Sequence, residues 1–556
     1  MRKILSIVLF AVLSLPLTAG IHTYADRSVL ADGKWVKVRV SESGVCRMSF
    51  SELRSAGLNP EQVRVFGYGG AQKEQDFSVR NIDDLPQVPV FTGEDYILFY
   101  VQGPISWAYD EEKGRFVHTR NTYSDFGYYM LTDNTGSPMG LPESAAVSGS
   151  PTDVTSYPLY QVQDKDSINL IDRNGVSGGG RTFYGEQFTA NKKRSFVFST
   201  PGAIEGGTSY LEIDLAANAP TSSYFSASLN GGATKNVSIT SIPDHYTFGC
   251  AGMISMSGIT SADKQEVELQ LQNSSTGALG WLNYIEITTP CELKMNGSWT
   301  PVRTLVNLDT SVPVRFRMTG ADVSTQVWDI TRLDAISRMP VTFENDELTW
   351  TGTQADGVHE YVAVKPGGNQ FVKAQIEGEV KNQNLHALNN IDYVIICPEG
   401  YEEVATDLAK AHEEKEGITW AVVTDQQVYN EFSSGTPDAT SYRWLMKMLY
   451  DRADGNGIAK PRWLLLMGHG SFDNRKLLLN SGSNLLLTYQ SLNSLNEVKA
   501  YATDDYFGFL DDNEGTNDIK GRMDIGVGRL PVESVSEART TVDKLIRYIR
   551  NEQTGK

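Results

Sequence analysis

The stretch YVIICP, Tyr393 to Pro398, constrains the fold more than any other segment. A continuous apolar run of that length, ended by a proline, is the pattern of a strand buried on both faces. GITWAVVT (Gly417 to Thr424), RWLLLMG (Arg462 to Gly468) and MDIGVGRLPV (Met523 to Val532) repeat it. Between and after them lie apolar residues at helical spacing: Val404, Leu408 and Ala411, then Trp444, Leu445, Met448 and Leu449, and finally Ala538, Val542, Leu545, Ile546 and Ile549. Strands alternating with helices over short connections predict a mainly parallel sheet covered on both sides. Thr436 is expected to cap the middle helix, with Pro437 in its first turn.

Upstream of about Leu388 the period is two. Val36, Val38 and Val40 alternate with Trp35, Lys37 and Arg39, and DYILFY (Asp95 to Tyr100) reads as a buried strand. YLEIDL, YFSASL, EVELQLQ and WLNYIEIT follow between Tyr210 and Thr288, separated by Gly, Asn and Ser turns, which predicts an antiparallel sandwich of jelly-roll type. Trp281 and Tyr284 on these strands are read as core rather than as a sugar site. The expected organisation is multidomain: a signal peptide at 1–20, a β-rich domain at 21–145, a β-sandwich at 146–385 and an α/β domain at 386–556.

The signal peptide rests on Arg2 and Lys3, the apolar run Ile4 to Leu17, and the small residues Thr18, Ala19 and Gly20. About fourteen apolar residues interrupted by Pro16 fall short of the roughly twenty that a spanning helix needs. Export is the consequence. With 49 Lys plus Arg against 68 Asp plus Glu, the net charge of -19 would repel a phosphate backbone, and nucleic acid is excluded as a partner.

Chemistry has few places to sit. Cys46, Cys250, Cys291 and Cys397 include no CxxC and no Cys/His cluster, which argues against zinc. Cys250 and Cys291 could pair in an oxidising compartment, buried free thiols being the favoured account. GHGSFDNR, Gly468 to Arg475, follows a buried strand, where ligands bind in open α/β sheets. His469, Ser471 and Asp473 look like hydrolase residues, but three neighbours on one turn do not provide the geometry of a nucleophile, a base and an orienting group. TDDYFGFLDDNEG, Thr503 to Gly515, places Asp511, Asp512 and Glu514 in an acidic turn, read first as a plain hairpin turn and second as weak candidate ligands for a structural Ca²⁺; no other cofactor is called for. Arg529 in GVGRLPV is read as a partner for nearby carboxylates.

Taken in order, YVIICPEGYEEVATDLAKAHEEKEG, VYNEFSSGTPDATSYRWLMKMLY, WLLLMGHGSFDNR, TDDYFGFLDDNEG and DIGVGRLPVESVSEARTTVDKLIRYI resemble the gingipain-type (C25) cysteine peptidases, in the version of the type IX secretion system sortase. SVLADGKWVKVRVSESGVCRMSF, VRVFGYGG, DYILFYVQGPISWAYD and NTYSDFGYYMLT are similar to the leader region of that sortase, so the resemblance runs from about Ala25 to the end. It implies a caspase-like α/β domain of two subdomains, of which residues 386–556 correspond to the first. The family's catalytic Cys and His belong to the second and are expected beyond Lys556. On that reading His469 is a decoy, no catalytic residue is assigned, and the chain is inactive alone. The implied activity is that of a cysteine-type endopeptidase and transpeptidase that removes the C-terminal signal domain of secreted cargo and transfers the cargo to lipopolysaccharide at the outer membrane surface. Its implied partners are that cargo, the lipopolysaccharide acceptor and other type IX secretion components. The alternative is a non-catalytic cell-surface β-sandwich module that serves as binding partner or scaffold of the secretion machinery.

Overall fold

The computed structural model describes residues 22–172, 178–453, 458, 460–479, 483–515 and 521–552. The signal peptide expected at 1–20 lies outside them.

The alternation of Val36, Val38 and Val40 produces the expected strand, Trp35–Val40, with these three valines buried. It pairs antiparallel with Gly127–Thr132 on one side and with Gln375–Val380 on the other. The sheet continues through Arg64–Phe66 to Gln87–Val88. Val36, Val38 and Leu131 share a core with Val45, Leu98 and Phe99 from a second, three-stranded sheet, so the first unit is a stack of two small sheets. A hairpin, Ile105–Asp110 with Arg115–Arg120, leaves this stack and reaches the next unit.

Residues 146–385, read from the sequence as one sandwich, contain two. The first stacks a five-stranded sheet, whose middle strands are Thr208–Asn218 and Leu279–Glu292, on a four-stranded one. Its core includes Ile213, Leu215, Phe225, Leu269 and Ile285. The second sets Val314–Thr319 and Glu347–Gly352 against Trp299–Arg303 and Glu360–Val364, with its own core around Phe316 and Trp350, stacked at 4.8 Å. Period-two alternation is the same in both, so the pattern shows the strands but not how they divide between cores. The four cysteines are free thiols; Cys250 and Cys291 are not bridged.

The α/β unit has the expected parallel sheet, and its strands lie in the order Trp420–Thr424, Tyr393–Cys397, Trp463–Met467 and Gly526–Leu530. Val394, Ile396, Leu464 and Leu466 face helices Asp425–Phe432 and Thr440–Ala453. Ile395, Cys397 and Met467 face helices Glu402–Glu416 and Val535–Ile549. One local expectation fails. The middle helix begins at Thr440, and Asp438 accepts the Thr440 amide at 2.8 Å, while the Thr436 hydroxyl donates to Gly69 O at 3.0 Å in the first unit. Tertiary contact thus takes the residue that local propensity would have used as a cap.

Candidate active-site end of the parallel sheet

All four strands of the sheet point the same way, so their carboxyl ends form one rim, the place where α/β folds bind ligands. After Met467 the chain turns through Gly468 to Arg475. His469 is fixed there by backbone and ring alike: its amide donates to Val532 O at 2.9 Å, its carbonyl accepts Leu485 N, and ring Nδ1 sits 2.6 Å from Ser483 O. The Ser471 hydroxyl accepts the Asp473 amide at 3.2 Å. Asp473 is fully buried, with Oδ2 accepting Leu478 N at 2.7 Å and Oδ1 without a hydrogen-bond partner among the described residues. The three side chains serve three different backbone sites and form no relay. The amide, carbonyl and ring of His469 are thus all taken by backbone partners.

Arg529 holds the rim together. Its Nε and Nη2 each donate to the Asp504 carboxylate at 2.8 Å, Nη1 donates to Gly468 O at 3.0 Å and Nη2 to Leu487 O at 3.0 Å. A planar fork satisfied on both edges is a role lysine cannot fill. The expected partnership with a carboxylate is present, and the partner is Asp504.

The acidic turn is rearranged relative to expectation. Asp511 and Glu514 come together with Asp524, one oxygen of each lying within 4.8 Å of the others. Asp512 points elsewhere and takes the Lys447 ammonium at 2.6 Å. Lys447 also holds Asp451 at 2.8 Å. Tyr450 donates to Asp524 Oδ1 at 3.3 Å and Asp511 Oδ1 at 3.4 Å, while Glu514 Oε2 is buried with no hydrogen-bond partner among the described residues. Asp524 was missed because it opens the final strand segment, ten residues past Glu514; nothing in local spacing marks it as a neighbour.

No cysteine reaches this rim as a nucleophile. Cys46, Cys291 and Cys397 are completely buried, and burial pushes each thiol up to about 12. Cys250 is half-buried in a sandwich strand, 3.7 Å from Ser241 O. Among the described residues no thiol contacts an imidazole, and a thiol nucleophile needs both a lowered pKa and a base.

The first unit and the first sandwich pack directly against the rim. Tyr68 N and Gly69 N donate to the Ser434 hydroxyl, and Tyr68 OH donates to Phe432 O. Arg475, whose side chain is 3% exposed, donates to Asp125 at 2.8 Å and also pairs with Asp166; Arg120 bridges the same two carboxylates at 3.2 Å each. Farther back, His386 is fully buried between Glu431 (Nδ1, 2.6 Å) and Asp83 (Nε2, 3.1 Å). Between the hairpin and the sandwich, His118 lies between Glu286 (2.6 Å) and Asp164 (3.0 Å). Both histidines are raised to about 9: burial acts to lower them, and the hydrogen bonds and charges of the flanking carboxylates outweigh it. Trp281, read as core, is buried with Leu170 and Tyr184 in a cluster against which Leu495 of the α/β unit packs.

The model of peptidase family C25 matches residues 386–556, the whole α/β unit. No curated protein matches the chain. Among solved structures, dimeric latent PorU from Porphyromonas gingivalis is 33% identical, with a TM-score of 0.82 over 94% of this chain and 50% of that one. This chain therefore spans half the length of the PorU chain it matches. The complex of RgpB pro- and mature domains, also from Porphyromonas gingivalis, aligns at 18% identity over 28% of each chain with a TM-score of 0.18. CBM35 from Cellvibrio japonicus Abf62 aligns at 15% identity over 23% of this chain and 91% of that one, with a TM-score of 0.17. The last two carry no inference. With its α/β unit matched by the family and nearly its full length following PorU, the chain carries a C25-type peptidase unit at residues 386–556 and is PorU-like.

Proposed function

We propose that this chain is part of a cell-surface cysteine peptidase of the sortase kind, one that cuts the C-terminal signal domain from exported cargo and passes the cargo to lipopolysaccharide. The observation that carries the reading is the 33% identity to PorU over 94% of the chain. Cargo, lipopolysaccharide and other type IX secretion components are the partners it entails, and export by the 1–20 leader the route. No helix among the described residues is long and apolar enough to cross a membrane.

In this reading the chain alone performs no thiol chemistry, since its own thiols are buried or lack a base. Its contribution is the platform: the rim at the strand ends, fixed by Arg529 and enclosed by the β units. Purified chain incubated with a cargo protein and a thiol reductant should leave the cargo intact; cleavage that iodoacetamide abolishes would sink the proposal. A structural Ca²⁺ belongs to the same reading, held by Asp511, Glu514 and Asp524 rather than by Asp512. The oxygen-only donor set and the unpartnered Glu514 Oε2 support it.

The alternative, a non-catalytic binding scaffold, draws on the two sandwiches and the absence of an activated thiol among the described residues. Pull-down with secretion components separates the two. A scaffold binds them and leaves cargo uncut even when the rest of a PorU-length protein is present.

A further inference from the structure

Lys37, in the Trp35–Val40 strand, carries its side-chain amine to the α/β unit, where it meets Asn430. Its stem passes Gly435, where a Cβ would lie 2.8 Å from Lys37 Cε; Gly435 also needs its positive φ of 79°. The amine makes a single hydrogen bond, to Asn430 Oδ1 at 3.3 Å, and lies 4.5 Å from the centre of the Tyr128 ring. No carboxylate comes within ion-pair distance among the described residues.

The carboxylates nearby are already engaged. Glu377 pairs with Arg39 at 2.8 Å, Glu379 with Lys34 at 3.6 Å, and Glu399 with Lys381 at 2.8 Å. Glu402 accepts the Gly400 amide at 2.5 Å, and Asp425 takes the Gln426 amide at 3.4 Å. Lys37 faces a cavity of about 260 Å³ with Gln383, Gln426 and Gln427 among its walls, at the carboxyl end of the Tyr393–Cys397 and Trp420–Thr424 strands.

We propose that Lys37 is a reactive amine, a site of covalent acylation by small activated carboxyl compounds that enter this cavity. In the step, the Nζ lone pair attacks the carbonyl carbon of an activated ester. The bond from that carbon to the leaving oxygen breaks, the leaving group departs as its anion, and the proton lost from nitrogen goes to water. The product is an amide on Lys37, and no oxidant or reductant is needed. Two physical factors favour the neutral amine. It is partly withdrawn from water without gaining a counter-ion among the described residues, and the aromatic ring replaces only part of its hydration. Consistent with this, burial lowers the Lys37 ammonium to about 8, against the opposing pull of Glu377 and Asp425.

The test is competitive labelling of the whole chain with N-hydroxysuccinimidyl acetate, read by peptide mass spectrometry across pH 7 to 10. At pH 8 the neutral fraction of an amine titrating at about 8 is roughly a hundredfold that of an ordinary lysine. Lys37 should therefore label at least about tenfold faster than exposed Lys192 and Lys235, with a midpoint near pH 8. Asn430→Asp supplies the missing counter-ion and should slow Lys37 several-fold while leaving Lys192 unchanged. Unfolding in urea should erase the difference. Labelling of Lys37 no faster than that of Lys192, a midpoint near that of exposed lysines, or indifference to Asn430→Asp would each overturn the assignment.

Discussion

Arg529 and Asp504 meet edge to edge, two 2.8 Å hydrogen bonds joining the last parallel strand to the segment that precedes it by twenty-five residues. The same guanidinium reaches Gly468 O and Leu487 O, so one side chain ties three loops at the strand ends. Arg529→Ala leaves a largely buried carboxylate and two carbonyls without donors, which should cost about 3 kcal/mol. Arg529→Lys should recover less than half of that, because an ammonium cannot span the fork. Chemical denaturation of the two variants beside Asp504→Asn checks both statements.

His118 and His386 set the response to alkali. Each is raised to about 9 in the folded chain, against an ordinary value near 6.5. A raised histidine stabilises the fold fully below its unfolded value and loses that contribution as pH climbs through the folded one. Stability should therefore fall between pH 6.5 and 9.5, by up to about 3 kcal/mol for each histidine. Replacing both with Asn should lower stability at pH 6 and flatten the profile. Urea titrations at stepped pH would show it; an equally steep fall in the double variant would refute the assignment.

Thiol accessibility distinguishes the cysteines. Iodoacetamide should modify at most Cys250 in the native chain and all four cysteines in denaturant, since the other three are fully buried. Intact-mass analysis gives the count directly, and rapid native labelling of Cys397 would contradict its place in the core.

Calcium should raise the melting temperature by several degrees at concentrations well above its Kd, and EDTA should reverse the gain. Asp524→Asn and Glu514→Gln should abolish the shift, whereas Asp512→Asn should keep it, since Asp512 belongs to Lys447. Differential scanning fluorimetry with the three variants separates these outcomes.

Leu495 joins the α/β unit to the sandwich through the Leu170, Tyr184 and Trp281 cluster, with Phe248 N donating to Leu495 O at 2.7 Å. Leu495→Asp should expose residues 491–499 to limited proteolysis while far-ultraviolet circular dichroism stays unchanged. Protection equal to the parent chain would show that the backbone bonds suffice without the side chain.

The strands of the α/β unit were legible because burial on both faces leaves a continuous apolar signature, as Val394 to Cys397 show. Their parallel sense followed from the helices between them, whereas their spatial order did not. Contacts made across the fold were not legible. Asp524 joins Asp511 only through the path of the strand end, and Thr436 turns to Gly69, more than 350 residues away, instead of capping its helix. Lys37 looked like the polar half of an alternating strand, and its burial depends on a unit that begins hundreds of residues later. The case against His469 as a base rested on spacing alone: His469, Ser471 and Asp473 lie on one short segment, which rarely sets a nucleophile, a base and an orienting group in line.

The Gln375–Val380 strand closes the edge of a sheet whose other members end by Thr132, so both sandwiches are looped out between two parts of one small unit. In any chain delivered amino end first, through a ribosome or a translocation pore, Trp35–Val40 must wait with one flank bare while more than two hundred residues emerge and fold. The sandwiches can mature in the order of their delivery, whereas the unit that starts the protein is among the last to be completed. An arrest that releases the chain before residue 375 would leave that flank open to pairing with another molecule.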